Sequence, residues 1–160
     1  MKQSSKQYFN LLSIIHIAFF VGQILFAAVS ISIVTPIMET SISQSMTSML
    51  TIALGVVMFA ALGARTITQK RLQLLKEKPT LSEKLEGYKS VLITRLAILE
   101  GATLVVVAFY YVQQHFLFLV IAGGALVIFF LHRPVKAKVI DELALDYSER
   151  EYLEDPAYLI

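Results

Sequence analysis

Four apolar runs, separated by short polar or charged connections, dominate the chain: Phe9 to Val34, Met46 to Gly63, Val91 to Val112 and Phe116 to His132. The first contains no ionisable residue except His16. At 1.5 Å per residue it reaches roughly 39 Å, and each run is close to the roughly 17–25 residues that cross a hydrocarbon core. The pattern predicts an all-α integral membrane four-helix bundle with spans at about 9–34, 46–63, 91–112 and 116–132. A cleaved leader is the competing reading of the first run, because Lys2 and Lys6 precede it and Ala27, Ala28 and Ser30 are small. The apolar stretch continues through Ile31, Ile33 and Val34, past any cleavage point, which favours a retained helix.

The connections orient the bundle. Thr35 to Ser45 carries Glu39 and no Lys or Arg, and Gln113, Gln114 and His115 carry no formal charge. Arg65 to Ser90 contains Arg65, Lys70, Arg71, Lys76, Lys78, Lys84 and Lys89, and Arg133, Lys136 and Lys138 follow the last span. Basic residues accumulate on the cytoplasmic side of short loops, so the expected topology has both termini and the large second loop inside.

That loop reads as helical. Thr66 to Leu75 continues the second span and stops near Lys78-Pro79, since proline disfavours helix in the residue before it. Thr80 or Ser82 then caps a helix through Leu81, Leu85 and Tyr88, weakened by Gly87. Val135, Val139, Ile140 and Leu143 recur at helical spacing in the tail, and Ser148 with Glu151 suggests a capping box. The expected organisation is a transmembrane domain over 1–134 and a cytoplasmic tail over 135–160. The tail is read as a solvated helix lying at the interface, with a docking segment for a partner as the alternative. Its acidic end (Glu149, Glu151, Glu154, Asp155) disfavours contact with anionic lipid there.

Composition supports a lipid environment. The hydrophobic fraction is 56%, charged residues make up 16%, and mean hydropathy is +0.67. A soluble domain of 160 residues has too little interior for so much apolar surface. The net charge of +2 gives no footprint for nucleic acid. Cysteine is absent, which removes disulfides and thiol chemistry. The only histidines, His16, His115 and His132, fall at separate levels and assemble no metal site. No phosphate loop, nucleophile motif or metalloprotease signature occurs, so neither an enzyme nor a cofactor is expected.

Formal charge inside a span is confined to the third, at Arg95 and Glu100. An ionisable group in hydrocarbon costs at least about 2.5 kcal/mol on insertion scales, and such residues usually face the bundle interior. Arg95, about one turn from the cytoplasmic end, is able to snorkel; Glu100, roughly 14 Å in, is not. Five residues apart on one helix, they point about 140° from each other, so each should meet a neighbouring helix. Ser13, His16, Gln23 and Ser30 form one stripe on the first span, and Thr103 lies a turn beyond Glu100. The expected site is therefore a buried network of His16, Gln23, Arg95, Glu100 and Thr103. It would act as structural glue or hold a protonatable carboxylate that moves protons or ions. Alanines and glycines on the second span (Ala53, Gly55, Ala60, Ala61, Ala64), with Gly123-Gly124 on the fourth, are read as points of close helix approach.

The stretch Val91 to Val107, with Arg95, Glu100, Gly101 and Thr103, resembles the carboxylate-bearing helix of rotary ATP synthase c subunits, the proteolipids. In that family a mid-membrane Glu or Asp carries the translocated proton or sodium ion, and the resemblance implies that role for Glu100. The whole chain is similar to a group of small, uncharacterised four-helix bacterial inner-membrane proteins. The likeness rests on Arg95-Leu96-Ala97-Ile98-Leu99-Glu100-Gly101 and on the exit His132-Arg133-Pro134-Val135-Lys136. It implies a bacterial inner (cytoplasmic) membrane and no assigned activity. The expectation is thus a non-enzymatic accessory or scaffold subunit with a buried Arg–Glu network, in a homo-oligomer or larger membrane complex. The alternative is a small proton- or ion-translocating protein that uses Glu100.

Overall fold

The computed structural model describes residues 4–38 and 42–155. Lys2, Glu39 and positions 156–160, on which parts of the loop and tail readings rest, lie outside the described residues. Among the described residues there are six helices and no β-strand.

Helix α1 (Ser5–Ile33) begins where the Ser4 side chain accepts from the Gln7 amide and the Gln7 side chain accepts from the Ser4 amide. Helix α2 (Gln44–Lys76) starts at the Ser43 cap and α3 (Leu81–Gln113) at the Thr80 cap. After Gln114, which ends α3 in the left-handed region at φ 56°, His115 opens α4 (Phe116–Leu131). Two short helices follow, α5 (Lys136–Leu143) and α6 (Tyr147–Glu154). Asp146 caps α6 with Glu149 as its reciprocal partner, in place of the Ser148–Glu151 box read from the sequence. Both boxes fit the residue types, but the left-handed Ala144 that ends α5 sets where the chain re-enters helix.

Helix lengths organise the molecule. With 33 residues each, α2 and α3 are about 50 Å long, whereas the 16 residues of α4 reach only about 24 Å. Three helices, α1 to α3, are long and apolar enough to cross a membrane. The short α4 adds a fourth only when joined to α5, from which it bends by 75°. In the apolar window of α3 half the residues are buried, against 17% in α1 and 22% in α2, so α3 is the central helix. Outward apolar residues such as Ile17, Leu25, Phe59 and Leu62 cover the outer surface.

One end of the bundle is closed by the α3–α4 turn. The Tyr110 hydroxyl donates to the Val34 carbonyl, the Ile37 amide donates to Gln114 O at 2.6 Å, and the Phe116 amide donates to Ile37 O at 3.3 Å. At the opposite end the shortness of α4 leaves apolar sides of α1, α2 and α3 uncovered. The tail fills that space: Val139, Leu143, Leu145 and Leu153 are buried in one cluster with Leu12, Leu85 and Leu96. The tail therefore packs on its own bundle instead of lying free at an interface. Ser5 Oγ donates to Leu153 O at 2.8 Å and the Tyr8 hydroxyl to Leu85 O at 2.7 Å. Both ends of the described chain thus meet at one end of the bundle.

Close helix approach is carried by Ala53, Ala60 and Ala64, all buried, and not by the glycines grouped with them. A Cβ at Gly55, Gly123 or Gly124 would meet nothing within 4 Å. Gly87, read as a weak point, lies where α2 and α3 converge: a Cβ there would come within 2.1 Å of Leu75 Cδ2.

Candidate functional site

The five polar residues expected to form one network do not. His16 stacks on Phe129 with ring centroids 5.0 Å apart, and its Nε2 lies 3.3 Å from Phe129 O on α4. Gln23 donates to Phe19 O of its own helix at 3.3 Å and leaves Oε1 buried without a partner. Thr103 donates to Leu99 O, one turn back, at 3.1 Å. Of the α1 stripe, His16, Gln23 and Ser30 are buried and Ser13 is half-buried, and the buried face continues through Ser5, Tyr8 and Leu12. The stripe turns inward because it packs on α3 and α4, yet its polar groups are satisfied mainly by nearby backbone.

Arg95 finds a carboxylate other than Glu100. Its Nη1 donates to Glu142 Oε1 on α5 at 2.9 Å, while Nε and Nη2 donate to Thr68 Oγ1 on α2 at 3.4 and 3.2 Å. The residue is 6% exposed. The geometry of α3 explains the choice. Arg95 lies about 27 Å along the helix from Gln113, at the level where the tail folds back over the end of α4. The Tyr88 hydroxyl sits beside the Glu142 carboxylate without reaching hydrogen-bonding geometry, so that hydroxyl and Glu142 Oε2 are both buried without a partner.

Glu100 remains apart. About 20 Å from Gln113, it sits well within the apolar length of α3. It is half-buried against α1, its Oε1 3.7 Å from where a Cβ on Gly22 would stand. Among the described residues it makes no hydrogen bond and no ion pair. Gly22 is exposed, so this carboxyl lies on the outer flank of the α1–α3 seam and not in the bundle centre.

A second feature was not anticipated from the sequence. Where α2, α3 and α5 converge, a cavity of about 610 Å³ is lined by Arg65, Lys76, Arg95, His132, Lys138 and Glu142. Four cations thus surround one carboxylate, and Arg95 already compensates that carboxylate. The Arg65, Lys76 and Lys138 side chains make no ion pair or hydrogen bond among the described residues. Burial holds the Lys138 ammonium below its usual range, against the opposing pull of Glu142. Two signals for this site existed in the sequence. Thr68 interrupts the i, i+4 row Ala60, Ala64, Leu72 on the buried face of α2, and Glu142 adjoins the apolar positions Val139 and Leu143.

Comparison with protein-family models, curated proteins and solved structures finds no match to this chain. The fold and the sites define its class: an all-helical bundle whose longest helices are apolar and of membrane-crossing length.

Proposed function

We propose that the chain is a non-enzymatic, four-span protein of a bacterial inner membrane, with both termini cytoplasmic, that serves as an accessory or scaffold subunit of a homo-oligomer or larger membrane complex. The observation that carries this reading is Glu100: a carboxyl deep in the apolar length of α3, on the outer flank of the bundle, with no hydrogen-bond or ion-pair partner among the described residues. Polar groups at lipid depth associate helices, because the alternative is an unsatisfied group in hydrocarbon. A polar group on a neighbouring subunit would satisfy Glu100. The basic second loop and the meeting of Ser5 with Leu153 support an even number of crossings with both ends on the inner side.

The test is the size of the assembly extracted from native membranes in mild detergent. The wild-type chain should run larger than its 17.9 kDa, and Glu100→Leu should reduce it to the monomer while its thermal unfolding is retained. An assembly unchanged by Glu100→Leu, or a wild-type monomer, would refute the subunit reading.

The same isolation of Glu100 favours the second reading, a carrier of protons or ions. In liposomes Glu100→Gln should then abolish ion flux with the fold intact, and carbodiimide labelling of Glu100 should rise as pH falls. Absence of flux from the wild-type protein would dismiss it.

A further inference from the structure

The cavity between α2, α3 and α5 is built for an anion. Of the five N–H groups of the Arg95 guanidinium, three are engaged by Thr68 and Glu142, leaving two. The residue is more than nine-tenths buried and held between two helices, so its fork is pre-organised. Arg65 and Lys76 on α2 and Lys138 on α5 add three cations with no carboxylate of their own. Gln69 and Gln73, also on the cavity wall, supply uncharged amide donors. With Glu142 neutralised by Arg95, the cavity holds an excess of about three positive charges, of which Arg65 and Lys76 face its exposed mouth and Lys138 is half-buried, so an anion entering there meets cations on two helices.

The cavity also stands where a lipid headgroup would be. It is lined by His132 at the end of α4 and, on the membrane placement proposed above, on which the lipid assignment rests, it stands where the hydrocarbon length of α3 runs out. Stepping back along the same face of α2 from Arg65 and Gln69 leads to Leu62 and Met58, which are 62% and 57% exposed. A polar, cationic pocket continued by an exposed apolar helix face matches a molecule with an anionic head and an acyl chain. We propose that this cavity binds a phosphate group, and that the phosphate is supplied by the headgroup of an anionic phospholipid. This site is independent of Glu100 and of the subunit reading.

The test uses the full-length protein in a zwitterionic detergent. Native mass spectrometry is recorded with phosphatidylglycerol and with phosphatidylcholine, and thermal unfolding is recorded with inorganic phosphate. The variants are Lys76→Gln/Lys138→Gln, whose side chains make no hydrogen bond or ion pair among the described residues, and Lys70→Gln, a lysine of α2 outside the cavity. A lysine near an anionic headgroup is worth about fivefold in affinity, so the double variant should lower the phosphatidylglycerol preference roughly 25-fold. Lys70→Gln should leave that preference intact. That pattern supports the site with a lipid as its ligand. Stabilisation by inorganic phosphate that the double variant abolishes, with no lipid preference, supports the phosphate site and assigns it to a free anion. If neither probe binds, or if Lys70→Gln lowers the preference as much as the double variant, the proposal is overturned.

Discussion

Arg95 and Glu100 stand five residues apart on α3, and their different surroundings follow from which neighbours reach each level of the helix. Arg95 meets Thr68 and Glu142 at the end of the bundle, and Glu100 lies against α1 beside Gly22 with no hydrogen bond or ion pair among the described residues. Removing one partner of a buried pair leaves the other uncompensated. Arg95→Ala should therefore destabilise by about 3 kcal/mol, at the low end of the range for buried pairs because Glu142 is one-fifth exposed. The double variant Arg95→Met/Glu142→Leu removes both charges and should recover most of that loss. Thermal unfolding in detergent checks both, and a double variant less stable than Arg95→Ala would contradict the pairing. Thr68→Val, which removes an acceptor and keeps the volume, should cost about 1 kcal/mol in the same assay.

The tail helices illustrate how one short element dictates the packing of others. Because α4 ends early, α5 and α6 cover the extensions of α2 and α3, tied by Lys84 to Glu149 at 2.6 Å and by the Arg95–Glu142 contact. Leu143, fully buried, should cost about 2–5 kcal/mol when cut to alanine. Hydrogen exchange should localise that loss to α5 and α6, and equal loosening of α1 would count against a separately docked tail. The cap of α6 adds a pH dependence. The Glu149 amide, and then the Ser148 hydroxyl, bond to the Asp146 carboxylate and hold it below its ordinary range. A lowered folded pKa gives stability that is present above the unfolded value of about 3.9 and lost as pH falls through the folded one. Protection factors in α6 should decline over that acidic window in the wild type, and Asp146→Asn should flatten the decline.

At the scale of the whole molecule, the proposed topology is directly measurable because the chain contains no cysteine. Single cysteines at Ser43, Lys78 and Ser148 should sort by side in intact cells, with Ser43 labelled from outside and the other two only after permeabilisation. Labelling of Ser148 from outside would remove the fourth crossing, which rests on a 16-residue helix.

The sequence by itself determined the helical elements, the stop near Pro79 with a cap at Thr80 or Ser82, of which the structure uses Thr80, and the apolar length of three helices. These follow from local periodicity and from proline and capping chemistry acting within a few residues. The inward stripe of α1, from His16 to Ser30, was legible for the same reason, since helical spacing alone assigns its face. The partners across that stripe were not. The spacing turns Arg95 away from Glu100 and toward a neighbouring helix, but that its partners are Thr68 and Glu142 depends on where α4 stops and how the tail returns, and nothing within a turn of Arg95 records that. The capping box at Asp146 and the convergence at Gly87 were likewise decided by the path of the chain between elements. Only the tertiary structure brought Arg65, Lys76, Arg95 and Lys138, drawn from three helices, around one cavity and left Glu100 on the outer flank with no polar partner among the described residues. Charge in a sequence gives the sign of a surface, and packing decides which charges share a site.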